Sequence, residues 1–282
     1  MSFSSEIKEK LCTHAHECPC CAAAETAGLF CVSGNVGGTL KFKTENPAVA
    51  ERAAYDINEC SGIKPRITEG ARSKSLAAEG YDAENLGEII RGVQMPLECC
   101  KCAYLRGAFL GGGSVSDPSK AYHLEIGTRD GDTAQRINDL MREEGFPSKV
   151  TSRKGAFVVY LKGCEAIADF LGYMGAAGSA LEVFTVQIEK EMRNNVNRRV
   201  NCESANADKL ARAASRHIFA VEKIKAAGKW EKLPDALKEI GDLRSEYPED
   251  SLKELGARLD PPIGKSGVNH RLNRLLEFAD EL

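Results

Sequence analysis

The sequence contains no run of about 18 or more apolar residues, so no membrane-spanning helix is expected. Its first residues, MSFSSEIKEKLC, hold no apolar core of the kind a secretory signal needs, so the chain is expected to remain in the cytoplasm. An excess of positive charge is also missing. The formal net charge is −3, which excludes a protein that coats a polyanion with its whole surface. Any nucleic-acid contact must rest on positive charge concentrated locally. The eleven cysteines are an odd number and include the adjacent pairs Cys20-Cys21 and Cys99-Cys100, which rarely bridge to one another. Without an export signal, a reduced chain is the simpler reading. An apolar share of 43% and a charged share of 28% describe an ordinary globular protein, and 282 residues suggest about two domains.

An internal repeat organises the first part of the chain. Residues 20–36 (CCAAAETAGLFCVSGNV) align without gaps on residues 99–115 (CCKCAYLRGAFLGGGSV). Identities include Cys20/Cys99, Cys21/Cys100, Gly28/Gly107, Phe30/Phe109, Gly34/Gly113 and Val36/Val115. Each copy leads into an alternating, strand-like segment, at 39–44 and 122–127. A helical stretch follows in each, at 48–60 and 133–144, and then a further strand, at 64–68 and 149–152. The second copy adds a strand at 156–162 and a helix at 164–172; in the first, 83–93 fits the closing helix. The unit reads α-β-β-α-β-β-α, twice. Glycine inside a helix costs about 1 kcal/mol against alanine. Its recurrence at the same place in both opening helices suggests that these two helices approach backbone to backbone.

The segments TAGLFCVSG (26–34) and LRGAFLGGG (105–113) resemble the LAGLIDADG motif of homing endonucleases. The resemblance implies two motif helices packed at the interface of two pseudo-symmetric halves, each ending in an acid that holds a catalytic divalent cation. The positions aligned with those acids are Ser33 and Gly112, neither of which replaces a carboxylate as a hard oxygen ligand. Asp117 lies a few residues beyond. The fold is expected to be kept and the nuclease chemistry lost, with no catalytic residue, no metal and no cofactor.

Further along, RNNVNRRV (193–200) carries Arg193, Arg198 and Arg199 with no acid among them, and reads as a basic linker over 191–204. Residues 206–230 are helical, with Leu210, Ala214, His217, Val221 and Ile224 in an apolar stripe and Gly228 at the end. His217 on that stripe reads as a packed histidine. Pro234 opens another helix. Ser251-Leu-Lys-Glu254 is a capping box for a short helix, and Asp260-Pro261-Pro262 stops it. Ser266 is placed to cap the last helix. That helix turns Val268, Leu272, Leu275, Leu276 and Ala279 inward and His270, Asn273 and Arg274 outward, with Asn269 and Arg271 on the flanks. A short capped helix, a turn and a helix with a polar, basic face outline a helix-turn-helix. Arginine suits guanine edges and phosphates, and asparagine suits adenine edges. Lys265 and Ser266 are placed to reach phosphate oxygens. Lys265, Ser266, Asn269, His270, Arg271, Asn273 and Arg274, with Arg193, Arg198 and Arg199, form the expected DNA-binding set.

The order of parts, together with YLRGAFLGGGSVSDP (104–118), RRVNCESAN (198–206) and KSGVNHRLNRL (265–275), resembles the WhiA family of sporulation and cell-division regulators in Gram-positive bacteria. The resemblance spans nearly the whole chain. It implies an α+β domain, a duplicated αββαββ LAGLIDADG-like fold with two antiparallel sheets, over 1–190 (halves about 1–95 and 96–190). An all-α helix-turn-helix domain similar to region 4 of sigma factors would occupy 205–282. It further implies binding to double-stranded DNA at promoters, a nucleoid location, and partnership with an RNA polymerase sigma factor and a WhiB-type iron–sulfur regulator. Two other readings stay open: a protein-interaction scaffold for transcription machinery, and a metal-dependent site-specific endonuclease.

The cysteines stand apart. Cys12, His14, His16, Cys18, Cys20 and Cys21 are close enough in sequence to suggest zinc. That stretch holds no matched pair of C-x2-C knuckles, however, and Cys20-Cys21 belongs to the repeat helix. Buried thiols acting as small hydrophobes are the favoured reading.

Overall fold

The computed structural model describes residues 2–33, 35–36, 39–70, 73–79, 81–153 and 155–282. Gly34, one partner of the Gly34/Gly113 match, lies outside the described residues. The chain divides into two compact units, Met1–Glu191 and Met192–Leu282.

The first unit repeats one order of elements. The first copy comprises α2 (Pro19–Ser33), β1 (Asn35–Val36), β2 (Thr39–Thr44), α3 (Pro47–Ser61), β3 (Arg66–Glu69), β4 (Lys74–Glu79) and α4 (Tyr81–Gly92), preceded by α1 (Phe3–Cys12). The second comprises α5 (Glu98–Gly112), β5 (Gly113–Val115), β6 (His123–Thr128), α6 (Gly131–Glu143), β7 (Lys149–Arg153), β8 (Ala156–Lys162) and α7 (Cys164–Tyr173). Each copy builds a four-stranded antiparallel sheet, in the orders β1-β2-β4-β3 and β5-β6-β8-β7. The shared strand order is the duplication seen in three dimensions. Alternation sets the buried face of each sheet: Leu40 and Phe42 pair across from Ala78 and Leu76, and Leu124 and Ile126 from Leu161 and Val159. Local chemistry fixes the helix starts. Asn46 accepts the N–H groups of Ala48 and Val49 ahead of Pro47 in α3, and Asp130 accepts that of Thr133 in α6.

The two motif helices, α2 and α5, pack against each other as the repeated glycines suggest. A methyl group on Gly28 would overlap the backbone carbonyl of Tyr104, and one on Gly107 would overlap that of Glu25. The two contacts are reciprocal, as a pseudo-two-fold axis requires, and only glycine admits them.

Helix α8 (Ala177–Ala226) runs 50 residues without interruption and is shared between the two units. The sequence reading ends one element before 191 and opens another near Asn206; the structure has helix throughout 191–204. Neither proline nor glycine occurs from Ser179 through Ala227, so nothing in the basic, asparagine-rich stretch breaks the helix. Gly228, at φ +66°, ends the turn that follows. Among the described residues, no helix is long and apolar enough to cross a membrane.

The second unit adds α9 (Asp235–Glu246), α10 (Leu252–Ala257) and α11 (Lys265–Asp280). Val221 and Ile224 of α8, Ile240 of α9, Leu255 of α10 and Val268, Leu272 and Leu275 of α11 share one core. The capping box at Ser251 and Glu254 is formed in both directions. Ser266 is not the cap expected of it. Helix α11 already begins at Lys265, with Gly264 in extended conformation at the N-cap and no side-chain capping bond. The preceding Gly264 takes up that conformation readily, which puts the hydroxyl of Ser266 inside the first turn.

Candidate nucleic-acid interface

Helix α10, the turn and α11 form the helix-turn-helix. The two helices meet closely: a methyl group on Gly256 of α10 would overlap the carbonyl of Ile263 and reach the Val268 side chain at 3.1 Å. With Val268, Leu272, Leu275 and Ala279 buried, the opposite face of α11 is held toward solvent. Lys265, Ser266, Asn269, His270, Asn273 and Arg274 are all exposed, and Arg271 is half-buried on the flank. Ser266, Asn269, His270, Asn273 and Arg274 line one shallow surface depression, and Glu277 closes its C-terminal end. The structure therefore gathers the expected reading residues, and adds an acid that the sequence reading leaves off that face.

The basic residues of α8 behave differently. Arg193, Arg198 and Arg199 are exposed, but at 3.6 residues per turn they point to different sides of the helix. They do not form a patch. A basic stripe that the sequence reading misses lies about three turns on, where Lys209, Arg212 and Arg216 are exposed at helical spacing and share a surface with Ser215. The signal was available as positive charge at i, i+3 and i+7 on the polar side of the Leu210–Ile224 stripe.

In the first unit, a cleft of about 1060 Å³ opens where the motif helices end. Ser33, Gly111 and Gly112 contribute to it from the helices, Lys41 and Lys43 from one sheet, and Arg129 and Asp130 from the end of β6 and the turn after it. Ser33 donates its hydroxyl to the Leu29 carbonyl of its own helix, at 3.0 Å. At Gly112 a Cβ would overlap the Val32 side chain and reach the Gly127 carbonyl at 2.5 Å, so no acidic side chain fits this backbone. Asp130 is the carboxylate of the lining, and it is engaged in capping α6 through Thr133, 2.8 Å from its N–H and 2.6 Å from its hydroxyl. Asp117 is exposed, accepts the N–H of Ser119 at 2.8 Å, and does not line the cleft.

Comparison with known proteins supplies the family. Residues 101–193 match the model of the WhiA LAGLIDADG-like domain, and 196–279 that of the WhiA C-terminal HTH domain. The chain is 40% identical to the probable cell division protein WhiA of Clostridium novyi (strain NT), over 100% of this chain and 98% of that protein. The chain belongs to the WhiA family. A second WhiA relative, the probable cell division protein of Alkaliphilus metalliredigens (strain QYMF), is 41% identical over 99% of this chain and 98% of its own. The crystal structure of full-length WhiA from Thermatoga maritima is similar over 100% of this chain and 99% of that one, with 25% identity and a TM-score of 0.65.

Two further clusters in this WhiA chain escape sequence reasoning. Both lie at the α2–α5 contact. Glu25 of α2 is fully buried and is gripped from both sides. Arg52 of α3 donates to it at 2.8 Å, and Arg106 of α5 donates at 2.7 Å. His16 lies 2.7 Å from Asp56, which is also 3.2 Å from Arg52. Burial alone would push the Glu25 carboxyl up, but the guanidinium groups of Arg106 and Arg52 outweigh it and hold it below its ordinary value. Burial dominates at Asp56 and raises it to about 7. The sequence signal for this cluster is the lone charged residue of α2, Glu25, and Arg106 within the otherwise uncharged residues 102–112 of α5.

The second cluster is made of thiols. Cys18, just before α2, lies 2.8 Å from Cys20, 3.1 Å from Cys21 and 3.5 Å from Cys99, sulfur to sulfur. Neither the histidines nor Cys12 of the N-terminal group join it among the described residues. Its missing half is the repeat's second cysteine pair, which the alignment of the two copies already placed at the same helical position.

Proposed function

We propose that this WhiA-family protein is a sequence-selective DNA-binding transcription regulator acting at promoters of cell-division or sporulation genes, and that it does not cleave DNA. One observation carries the reading: α11 presents an exposed face of serine, asparagine, histidine and arginine, with Glu277 at its C-terminal end, while its other face is locked into the core of the second unit. Such a helix fits the major groove, where Asn269, Asn273 and His270 would meet base edges and Arg271 and Arg274 would meet guanine or phosphate. Lys265 and Ser266 in the first turn would approach phosphate oxygens. Arg193, Arg198 and Arg199 would add scattered phosphate contacts, and Lys209, Arg212 and Arg216 a more ordered row. The partners assigned by family resemblance are an RNA polymerase sigma factor and a WhiB-type iron–sulfur regulator, with the protein at work on the nucleoid.

The absence of nuclease chemistry rests on the cleft. Hydrolysis of a phosphodiester by the two-metal route needs hard oxygen ligands at the helix ends. Here one position is a serine hydroxyl bonded to its own helix, and the other is a glycine with no room for a side chain. A second reading, a scaffold for transcription proteins, is favoured by Met192, Val196 and Val200, which are exposed on α8 at four-residue spacing.

The test is fluorescence anisotropy with a promoter-fragment library and the full chain. Replacing Arg274 or His270 by alanine removes a base contact and is expected to weaken selective binding by about 5- to 150-fold without unfolding the unit. Wild-type affinity in both variants would sink the reading face and move the assignment to the scaffold. Site-specific cuts in the same DNA with Mg²⁺ or Mn²⁺ would overturn the non-nuclease assignment.

A further inference from the structure

We infer that Cys18, Cys21, Cys99 and Cys100 form a tetrathiolate zinc site that clamps the two pseudo-symmetric halves of the LAGLIDADG-like unit together. Their four sulfur atoms lie within 4.8 Å of one another. Measured from Cys18, the separations are 3.1 Å to Cys21, 3.5 Å to Cys99 and 3.9 Å to Cys100. Zinc binds thiolate at about 2.3 Å, so the edge of its tetrahedron is about 3.8 Å. The four sulfurs are already gathered around a point that a zinc ion would fill, with only small side-chain adjustment.

The chemistry of the set narrows the ligand. Four soft sulfur donors with no carboxylate or imidazole among them disfavour magnesium and calcium and suit zinc in a tetrahedral site. Four protein ligands leave no open position, so the site is structural and not catalytic. The backbone delivers it. Cys21 sits in the first turn of α2, and Cys99 and Cys100 in the first turn of α5. The amino ends of two helices point at the cluster, and their dipoles favour thiolate over thiol. The glycine contacts at Gly28 and Gly107 bring these ends together. Cys18 and Cys21 are spaced C-x2-C, and the second pair of ligands comes from the other copy of the repeat. Cys20 is a fifth thiol, 2.8 Å from Cys18 and 3.0 Å from Cys100, placed to donate a hydrogen bond to a bound thiolate. Cysteines that merely fill a core would be buried and dispersed, whereas Cys18, Cys20 and Cys99 are only half-buried and converge. A metal here joins residues far apart in sequence, so its binding energy becomes stability of the folded pair of halves.

The full-length protein, purified under reducing conditions, is analysed for metals, and the demetallated protein is titrated with Co²⁺. The expected result is one zinc ion per chain. Cobalt should give the thiolate-to-metal charge-transfer band and the intense visible bands of a tetrahedral tetrathiolate site, with a higher Tm than the metal-free protein. Cys99→Ser/Cys100→Ser should lose the metal and the bands; Cys202→Ser, exposed on α8, should keep both. The wild-type measurement does not depend on whether the double variant folds. Reduced wild-type protein that holds no zinc and gives no tetrathiolate spectrum with excess cobalt overturns the inference. So does iron accompanied by acid-labile sulfide, full metal content in the double variant, or a Cys18–Cys20 or Cys20–Cys100 disulfide in metal-free protein alkylated on isolation.

Discussion

Glu25 and Asp56 share one buried cluster, and burial opposes the charge of both. Their surroundings separate them. Glu25 has two guanidinium partners and is held below its ordinary value, so its contribution to stability is present above the unfolded carboxylate pKa and is lost as the pH falls. Asp56 shares Arg52 with Glu25, feels the Glu25 charge, and is raised to about 7 from 3.8. A group raised in the folded state stabilises below its unfolded pKa, and that contribution is lost as the pH rises through the folded value. The cluster therefore weakens the fold from opposite sides, and Asp56 governs the neutral side. Replacing Asp56 with asparagine, which cannot ionise, is expected to flatten the fall of Tm between mildly acid pH and pH above about 7. The readout is the difference in Tm between the two pH values for wild type and for Asp56→Asn. An equal fall in both proteins would show that Asp56 stays ionised in the fold throughout. His217 makes the reverse case in the second unit. Burial, with Arg244 and Arg216 nearby, lowers it to about 4, in keeping with a packed histidine and not with a ligand.

At the scale of elements, the α2–α5 contact decides how the two halves meet. Glycine to alanine inside an ordinary helix gains about 1 kcal/mol. At Gly107 the added methyl would collide with a backbone carbonyl, which cannot swing away as a side chain can. Overpacking of this kind costs about 1–3 kcal/mol. Gly107→Ala should therefore lower the denaturation midpoint, while Gly172→Ala in α7, where no atom lies within 4 Å, should leave it equal or slightly higher. Equal midpoints for the two variants would mean that the helices can separate at little expense. This contact was legible in the sequence because both copies keep glycine at the same position. Strands β2 and β8 were legible to the residue, β2 through its alternation and β8 through a short run of β-branched and aromatic residues. Strand β4, KSLAAE, was not, since it carries no β-branched or aromatic residue and is held by pairing with β2 and β3. The continuity of α8 was lost because its few apolar residues there, Met192, Val196 and Val200, are exposed among arginine and asparagine, and such a stretch looks like a linker. The exposed face of α11 was legible through its apolar periodicity. Glu277 was not counted on it because the residues singled out there are the polar and basic ones between Lys265 and Arg274. The thiol and charge clusters are assembled from both copies, and pairing across the repeat axis is a tertiary fact that spacing within one segment does not carry.

For the molecule as a whole, the charge balance sets how DNA can be approached. A net charge of −3 gives no general attraction to a polyanion, so binding must come from basic groups held close to phosphates. At about 0.1 M salt the Debye length is roughly 10 Å, and the distant acids are screened while those on the reading face are not. Glu277 is the acid at that distance, one turn beyond Arg274 and Asn273 on α11. Its carboxylate would face the phosphates bordering the groove and oppose the contacts proposed for Lys265 and Arg274. Glu277→Gln keeps the shape and removes the charge, so it should tighten binding to every sequence alike, several-fold at low salt and less as salt rises. The wild type should show counterion release in proportion to the phosphates it neutralises. Each such contact adds about −0.9 to the slope of log K against log salt, a loss of roughly 3.5-fold per contact between 50 and 200 mM. Anisotropy titrations of both proteins across that range test the two statements together. A salt-independent affinity would remove phosphate contact from the mechanism, and weaker binding by Glu277→Gln would mean that the carboxylate contributes to recognition, as an acceptor for a cytosine amino group does.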